Sequence, residues 1–205
     1  MTTLVKSSAR LATAIEVFDA IRDAACNLAV WERETIGGID AMIAQDAQDL
    51  RFSTTLGGLK EQLEAGLEAS GFAAISSRAA LIQDIGMLAQ HFCAALSIDA
   101  FDVQLEIVTT DSCRKFHGDY VTARLITTYV GTGTQWLEND DAEMVAQGLE
   151  PRRINTLRAG DVGLFKGKLA TETPCIHRSP PIGGTGERRL LLVLNPAKET
   201  QAKQA

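Results

Sequence analysis

A change of periodicity near residue 100 constrains this chain more than any other feature. From Ser7 to about Ala100, apolar side chains recur every three or four residues among Ala, Leu, Glu and Gln, the spacing of helices with one buried face. The clearest run follows Ser76 and Ser77, either of which could cap a helix, and sets Leu81, Ile85, Leu88, Phe92 and Leu96 on one stripe. Gly58 to Ala69 reads as a shorter helix and Ile39 to Leu50 as another, whereas Asn27 to Glu34 suits a strand equally well. Past Ala100 the pattern becomes alternating: Val103, Leu105 and Ile107 face one way, Gln104 and Glu106 the other. Further strands are expected at Arg124 to Val130, Thr134 to Leu137, Ile154 to Leu157, Val162 to Phe165 and Arg189 to Leu194. Glycine-containing turns separate them, at Gly131-Thr132-Gly133, Ala159-Gly160-Asp161, Lys166-Gly167 and Gly183-Gly184-Thr185-Gly186. Short strands divided by such turns, with no helical pattern between them, predict an antiparallel sandwich or small barrel.

The expected class is therefore α+β. A mainly helical region over residues 1–100 packs on a β core over 101–197, followed by a polar, flexible tail over 198–205, all in one integrated domain. Twenty Lys plus Arg against 26 Asp plus Glu leave a net charge of -6, which argues against nucleic acid or an anionic membrane as partner. Glu16 and Asp19 interrupt the apolar residues Leu11, Ile15, Val17 and Phe18, so the first twenty residues do not read as a secretory signal. No uninterrupted apolar run approaches the roughly 18 residues of a membrane span, and the cytoplasm is the expected compartment. The four cysteines, Cys26, Cys93, Cys113 and Cys175, are widely separated and form no CxxC pair, which favours reduced thiols.

Chemistry concentrates in the β-rich half. His117 and Asp119 are two apart, so in an extended segment both project to one side, while Gly118 leaves room on the other. His177 follows near the end of the expected sheet and could close the set. Two imidazoles and one carboxylate on one face leave coordination positions open, as in non-haem Fe(II) oxygenases. Arg188 and Arg189 open the last strong strand, where a guanidinium could hold the far carboxylate of a keto-acid cosubstrate. Alternation lets only one point inward, and Arg189, directly before the apolar run, is the expected one. Tyr129 shares a strand face with Thr127, opposite Arg124 and Thr128, and a phenol beside the metal would hydrogen-bond a cosubstrate carboxylate. Trp136 walls a pocket or anchors a loop. His91 reads as a core-edge histidine, and Cys26 and Cys93 as packed thiols.

The ordered set His-x-Asp, a Gly-Asp turn with an apolar strand (Gly160 to Phe165), His, then Arg resembles the Fe(II)/2-oxoglutarate-dependent dioxygenases over Val103 to Pro196. That resemblance implies a double-stranded β-helix, or jelly roll, with His117, Asp119 and His177 on Fe(II) and Arg189 or Arg188 on 2-oxoglutarate. It also implies an apolar shield from residues such as Ile126, Leu164 and Leu191 or Leu192. At closer range, Cys113 to Leu137, Ala159 to Gly167, His177 to Pro181, Arg188 to Pro196 and the NLAVWER segment resemble the bacterial domain of unknown function family 1826. Membership implies little chemistry beyond a loose association with zinc-homeostasis genes. Accordingly a zinc-binding protein of metal homeostasis is the alternative, using the same His and Asp residues plus Cys113 and Cys175. The substrate, small molecule or protein, stays open at this stage.

Overall fold

In a computed structural model, residues 7–43 and 47–197 are described. In chain order the elements are β1 (Ala9–Ala12), a 3-10 segment (Ile15–Arg22), β2 (Leu28–Trp31), a 3-10 turn (Asp40–Met42) and β3 (Leu50–Thr55). Next come α1 (Leu59–Ala69), α2 (Ser77–Leu96), β4 (Ala100–Val108), β5 (Ala123–Val130), β6 (Gln135–Trp136) and α3 (Asn139–Ala146). The chain ends with β7 (Asn155–Thr156), β8 (Val162–Lys166), β9 (His177–Arg178) and β10 (Arg189–Pro196). Seven strands form one sheet in the order β1-β2-β8-β5-β10-β4-β3, and β7-β6-β9 form a second. Among the described residues β1 and β2 run parallel and the other pairs are antiparallel.

Period-two alternation along the central strands divides the core into two layers. On β10, Leu190, Leu192 and Leu194 face the helices, where they meet Leu63 and Leu67 of α1 and Leu81, Ile85, Leu88 and Phe92 of α2. Leu191 and Val193 face the other way, into a second cluster with Ile126, Phe165, Trp136, Leu157 and Cys175. Trp136 of β6 and Leu157, just past β7, belong to that second cluster, so it lies between the two sheets. Although α2 has the length and hydropathy of a membrane span, its stripe is part of the core. It ends at Ser97, whose left-handed φ of 55° lets Ile98 N–H return to the carbonyl of Cys93.

The α+β class is as expected, but the first hundred residues are not mainly helical. They supply three strands of the large sheet, one of them within the ambiguous Asn27 to Glu34 stretch. The helix expected at Ile39 to Leu50 is replaced, within the described residues, by a single 3-10 turn and the start of β3. Its apolar positions Ile39, Met42, Ile43 and Leu50 are buried in a helix-facing cluster without a continuous helical backbone. Conversely α3 interrupts the β-rich half, where Asn139, Asp140 and Asp141 open a helix too short and polar to carry an apolar stripe. The expected tail, residues 198–205, lies outside the described residues.

Candidate metal centre

The site lies where an irregular segment crosses from the small sheet to the large one. His117 N–H donates to the carbonyl of His177 at 2.9 Å and the His117 carbonyl accepts from His177 N–H at 3.0 Å, so the two histidines form an isolated antiparallel bridge beside β9. Their rings lie 4.9 Å apart, and Phe165 of β8 packs against His177 at 4.8 Å. Asp119 is fastened to the large sheet instead, its carbonyl accepting from Lys168 N–H at 2.8 Å just past β8. Gly118 fits the crossing closely: a Cβ there would lie 3.0 Å from the Pro174 side chain and 3.3 Å from that of Ile176.

His117, Asp119 and His177 each offer a ligand atom, all within 4.8 Å of one another, and they are the one such group of three or more among the described residues. Both imidazoles are oriented by the same local bond. Nδ1 of His117 lies 2.9 Å from the carbonyl of Lys115, and Nδ1 of His177 lies 3.1 Å from that of Cys175, each two residues upstream. A carbonyl only accepts, so Nδ1 carries the proton and Nε2 points at Asp119. His177 Nε2 is 3.2 Å from Asp119 Oδ2 and His117 Nε2 is 3.6 Å from Oδ1. Asp119 Oδ2 is buried and without a hydrogen-bond partner. Two lone-pair-bearing atoms facing each other at 3.2 Å are reconciled by positive charge between them, either a proton on the imidazole, which makes the ion pair, or a metal ion in its place. The donor set of two imidazoles and one carboxylate, with this orphaned oxygen, fits a divalent metal. Burial would raise the Asp119 carboxyl, but the two imidazoles and Arg124 outweigh it and hold it well below the usual carboxylate range. The bond to Asp119 raises the His117 imidazole against burial.

A cavity of about 170 Å³ opens beside these groups, lined on the sheet side by Gln104, Glu106, Arg124, Ile126, Leu191 and Val193, and on the other by Cys113, His117, His177 and Ser179. Arg189 is fully buried on the same sheet face as Leu191 and Val193. Its guanidinium donates to the carbonyl of Thr132, to Ser179 Oγ at 3.0 Å and to Thr128 Oγ1 at 3.3 Å, all neutral acceptors. Burial pulls it down to about 10 against the opposing pull of Glu187 and Glu106, so it stays charged at neutral pH.

Other expected site residues fall elsewhere. Tyr129 points to the helical side, where its hydroxyl donates to Asp84 Oδ2 at 2.7 Å and Arg33 grips the same carboxylate. The parity of β5 puts it opposite Arg124, so it has no access to the centre. Arg188 also faces away, donating to the carbonyl of Ile43 at 3.1 Å beside an open groove. Cys113 is exposed at the cavity rim and Cys175 is buried in the apolar cluster, and neither thiol joins the metal-capable group. The Cys-containing zinc set is therefore not assembled. Of the expected shield, Ile126 and Leu191 line the cavity, while Leu164 and Leu192 face the helices. Arg124, whose Nη1 donates to Asp119 Oδ1 at 2.9 Å, is the contact the sequence reading left without a role; its parity with Ile126 and Thr128 on β5 was the available signal.

A family model matches residues 12–195, described as Protein of unknown function (DUF1826), and the chain belongs to that family. No curated protein matches the sequence. Among solved structures, the chain is similar to the dioxygenase for auxin oxidation from rice, at 12% identity and a TM-score of 0.44, covering 92% of this chain and 82% of that one. A Pseudomonas putida prolyl-4-hydroxylase gives 12% identity and 0.44 over 88% and 96%. AviO1 from Streptomyces viridochromogenes gives 13% and 0.43 over 91% and 95%.

Proposed function

We propose that this protein is an Fe(II)- and 2-oxoglutarate-dependent oxygenase. One observation carries the reading: two imidazoles and an orphaned carboxylate oxygen converge beside a small cavity, with a buried guanidinium nearby whose hydrogen bonds go to neutral acceptors. In this reading His117, Asp119 and His177 hold the metal, and one face of it stays open because the chain supplies three ligands rather than four. Fe(II) with 2-oxoglutarate and dioxygen supplies the oxidising power to remove hydrogen from an unactivated C–H bond, with succinate and carbon dioxide as coproducts.

The chain's own residues bind, orient and keep the site dry. The Nδ1–carbonyl bonds fix both imidazoles with Nε2 toward the metal, which removes rotamer freedom before the metal arrives. Arg189 receives the distal carboxylate of the cosubstrate at the cavity end marked by Ser179, whose hydroxyl it already holds. Ile126, Leu191 and Val193 form an apolar floor that limits water next to the reacting groups. A cavity of about 170 Å³ is below the usual range of drug-sized ligand pockets, which begins at about 300 Å³. It suits a five-carbon diacid, with the substrate approaching from the rim.

The reading is tested by anaerobic titration of the protein with Fe(II) and 2-oxoglutarate, followed by visible absorption. A saturable band that requires both additions and is lost in His177→Ala supports it. Absence of any such band with the folded protein contradicts it.

A further inference from the structure

We infer that Arg124 and Asn195 form a brace that turns Asp119 into a one-oxygen metal ligand, which makes Arg124 a positioning residue of the centre. The inference rests on the metal reading above. Asp119 sits in an irregular stretch between β4 and β5, where no strand or helix fixes the direction of its side chain. Arg124 and Asn195 instead stand on β5 and β10, two neighbouring strands at the middle of the large sheet, one position beyond the Leu125–Leu194 pair. Both project to the cavity side.

The guanidinium makes two bonds in different directions. Nε donates to Asn195 Oδ1 at 2.7 Å, and Nη1 donates to Asp119 Oδ1 at 2.9 Å. A planar guanidinium held at two points has a fixed plane, and a carboxylate bonded to it has a fixed rotation. Oδ1 is thereby engaged by Arg124, while Oδ2 is left without a donor, 3.2 Å from His177 Nε2. The side chains of Asp119 and Arg124 are 10% and 26% exposed, so solvent does little to loosen the pair. The brace ties a ligand on an irregular segment to the rigid centre of the sheet.

Charge alone predicts the opposite effect of removing Arg124. A cation next to a carboxylate ligand repels an incoming divalent metal, so deleting it would tighten metal binding. Geometry predicts weakening, because a freed carboxylate rotates and must be ordered on binding; supports of metal ligands typically change affinity about 10–100-fold.

The test is titration of the metal-free chain with Co(II), read by its visible spectrum, for the parent, Arg124→Met, Arg124→Lys and Asn195→Ala, alongside thermal unfolding without metal. The brace predicts about 10–100-fold weaker Co(II) binding for Arg124→Met. Arg124→Lys weakens it too, since an ammonium cannot reproduce the two-point plane. Asn195→Ala gives a smaller loss in the same direction while the metal-free variant stays folded at the titration temperature. Equal or tighter Co(II) binding by Arg124→Met overturns the inference while leaving the metal centre standing. If Arg124→Met does not fold, Asn195→Ala decides: weaker binding supports the brace and parental affinity overturns it. A parent chain that binds no Co(II) removes the centre and the brace together.

Discussion

Two histidines in this chain obey the same local rule: each gives Nδ1–H to a carbonyl two residues upstream and so presents Nε2 to one carboxylate. That rule needs an extended backbone, which the sequence signalled at His117-Gly118-Asp119 through its i, i+2 spacing. The third ligand was legible only as a lone histidine after a run of turns, because its placement depends on a backbone bridge across 60 positions. Arg189 was separable from Arg188 by alternation, and the structure buries it on the cavity side. Tyr129 failed for the complementary reason: it shares its strand with Arg124 at odd offset, and the residue that engages it, Asp84, lies on a helix 45 positions upstream that spacing alone does not connect. If Arg189 receives the cosubstrate, Arg189→Met weakens 2-oxoglutarate binding about 10–100-fold, the scale of a lost hydrogen bond to a charged group, while Co(II) affinity stays parental. Calorimetric titration of both ligands checks this.

Glu106 offers a second test at this scale, through pH. Burial raises its carboxyl above the usual 4.5, against the pull of Arg51 and Arg124. The folded protein therefore ionises this group less readily than the unfolded chain. The cost to stability is absent below about 4.5, develops as pH rises through the unfolded and then the folded value, and is full at neutral pH. Glu106→Gln is expected to unfold at a higher temperature than the parent at pH 7, with the gap closing as pH falls toward 4.5. An unfolding series across that range measures it.

Among the elements, β4 was visible because alternation on a half-buried sheet is a direct signature, β5, β8 and β10 because apolar or β-branched runs lie between turn signals, and α1 and α2 because of their apolar stripes, whereas the two-residue β9 gave no signal. The strands of the first hundred residues were not visible. β1 and β2 are four residues each, only two cycles of alternation, and β3 reads as polar because it is an edge strand with exposed Arg51 and Ser53 side chains. The short crossing at Gly118 has its own consequence. Gly118→Val crowds the side chains of Pro174, Ile176 and Lys168 between the two ligands His117 and Asp119 and is expected to weaken Co(II) binding with the far-ultraviolet spectrum unchanged. By contrast, Leu88→Ala on α2 removes a buried side chain on the opposite face of the large sheet. It is expected to cost about 2–5 kcal/mol in chemical denaturation and to leave Co(II) affinity intact. The pair of variants separates the roles of the two faces.

At the scale of the whole molecule, a seven-stranded sheet works as a partition. Helices bury one face and provide most of the stabilising apolar contact; the other face carries the small sheet, the cavity and the three converging side chains. Two central strands, β5 and β10, serve both sides at once, since alternate residues are core and site. This is why the sequence of β10 reads as an uninterrupted apolar run and yet begins with a buried arginine. The central claim is that His117, Asp119 and His177 share one divalent cation. Anomalous diffraction from crystals grown with Mn(II) or Co(II) tests it directly. The account predicts a single strong peak about 2.0–2.2 Å from Nε2 of both histidines and from one oxygen of Asp119. A map with no peak there, or with its peak on Cys113 or Cys175, would contradict it.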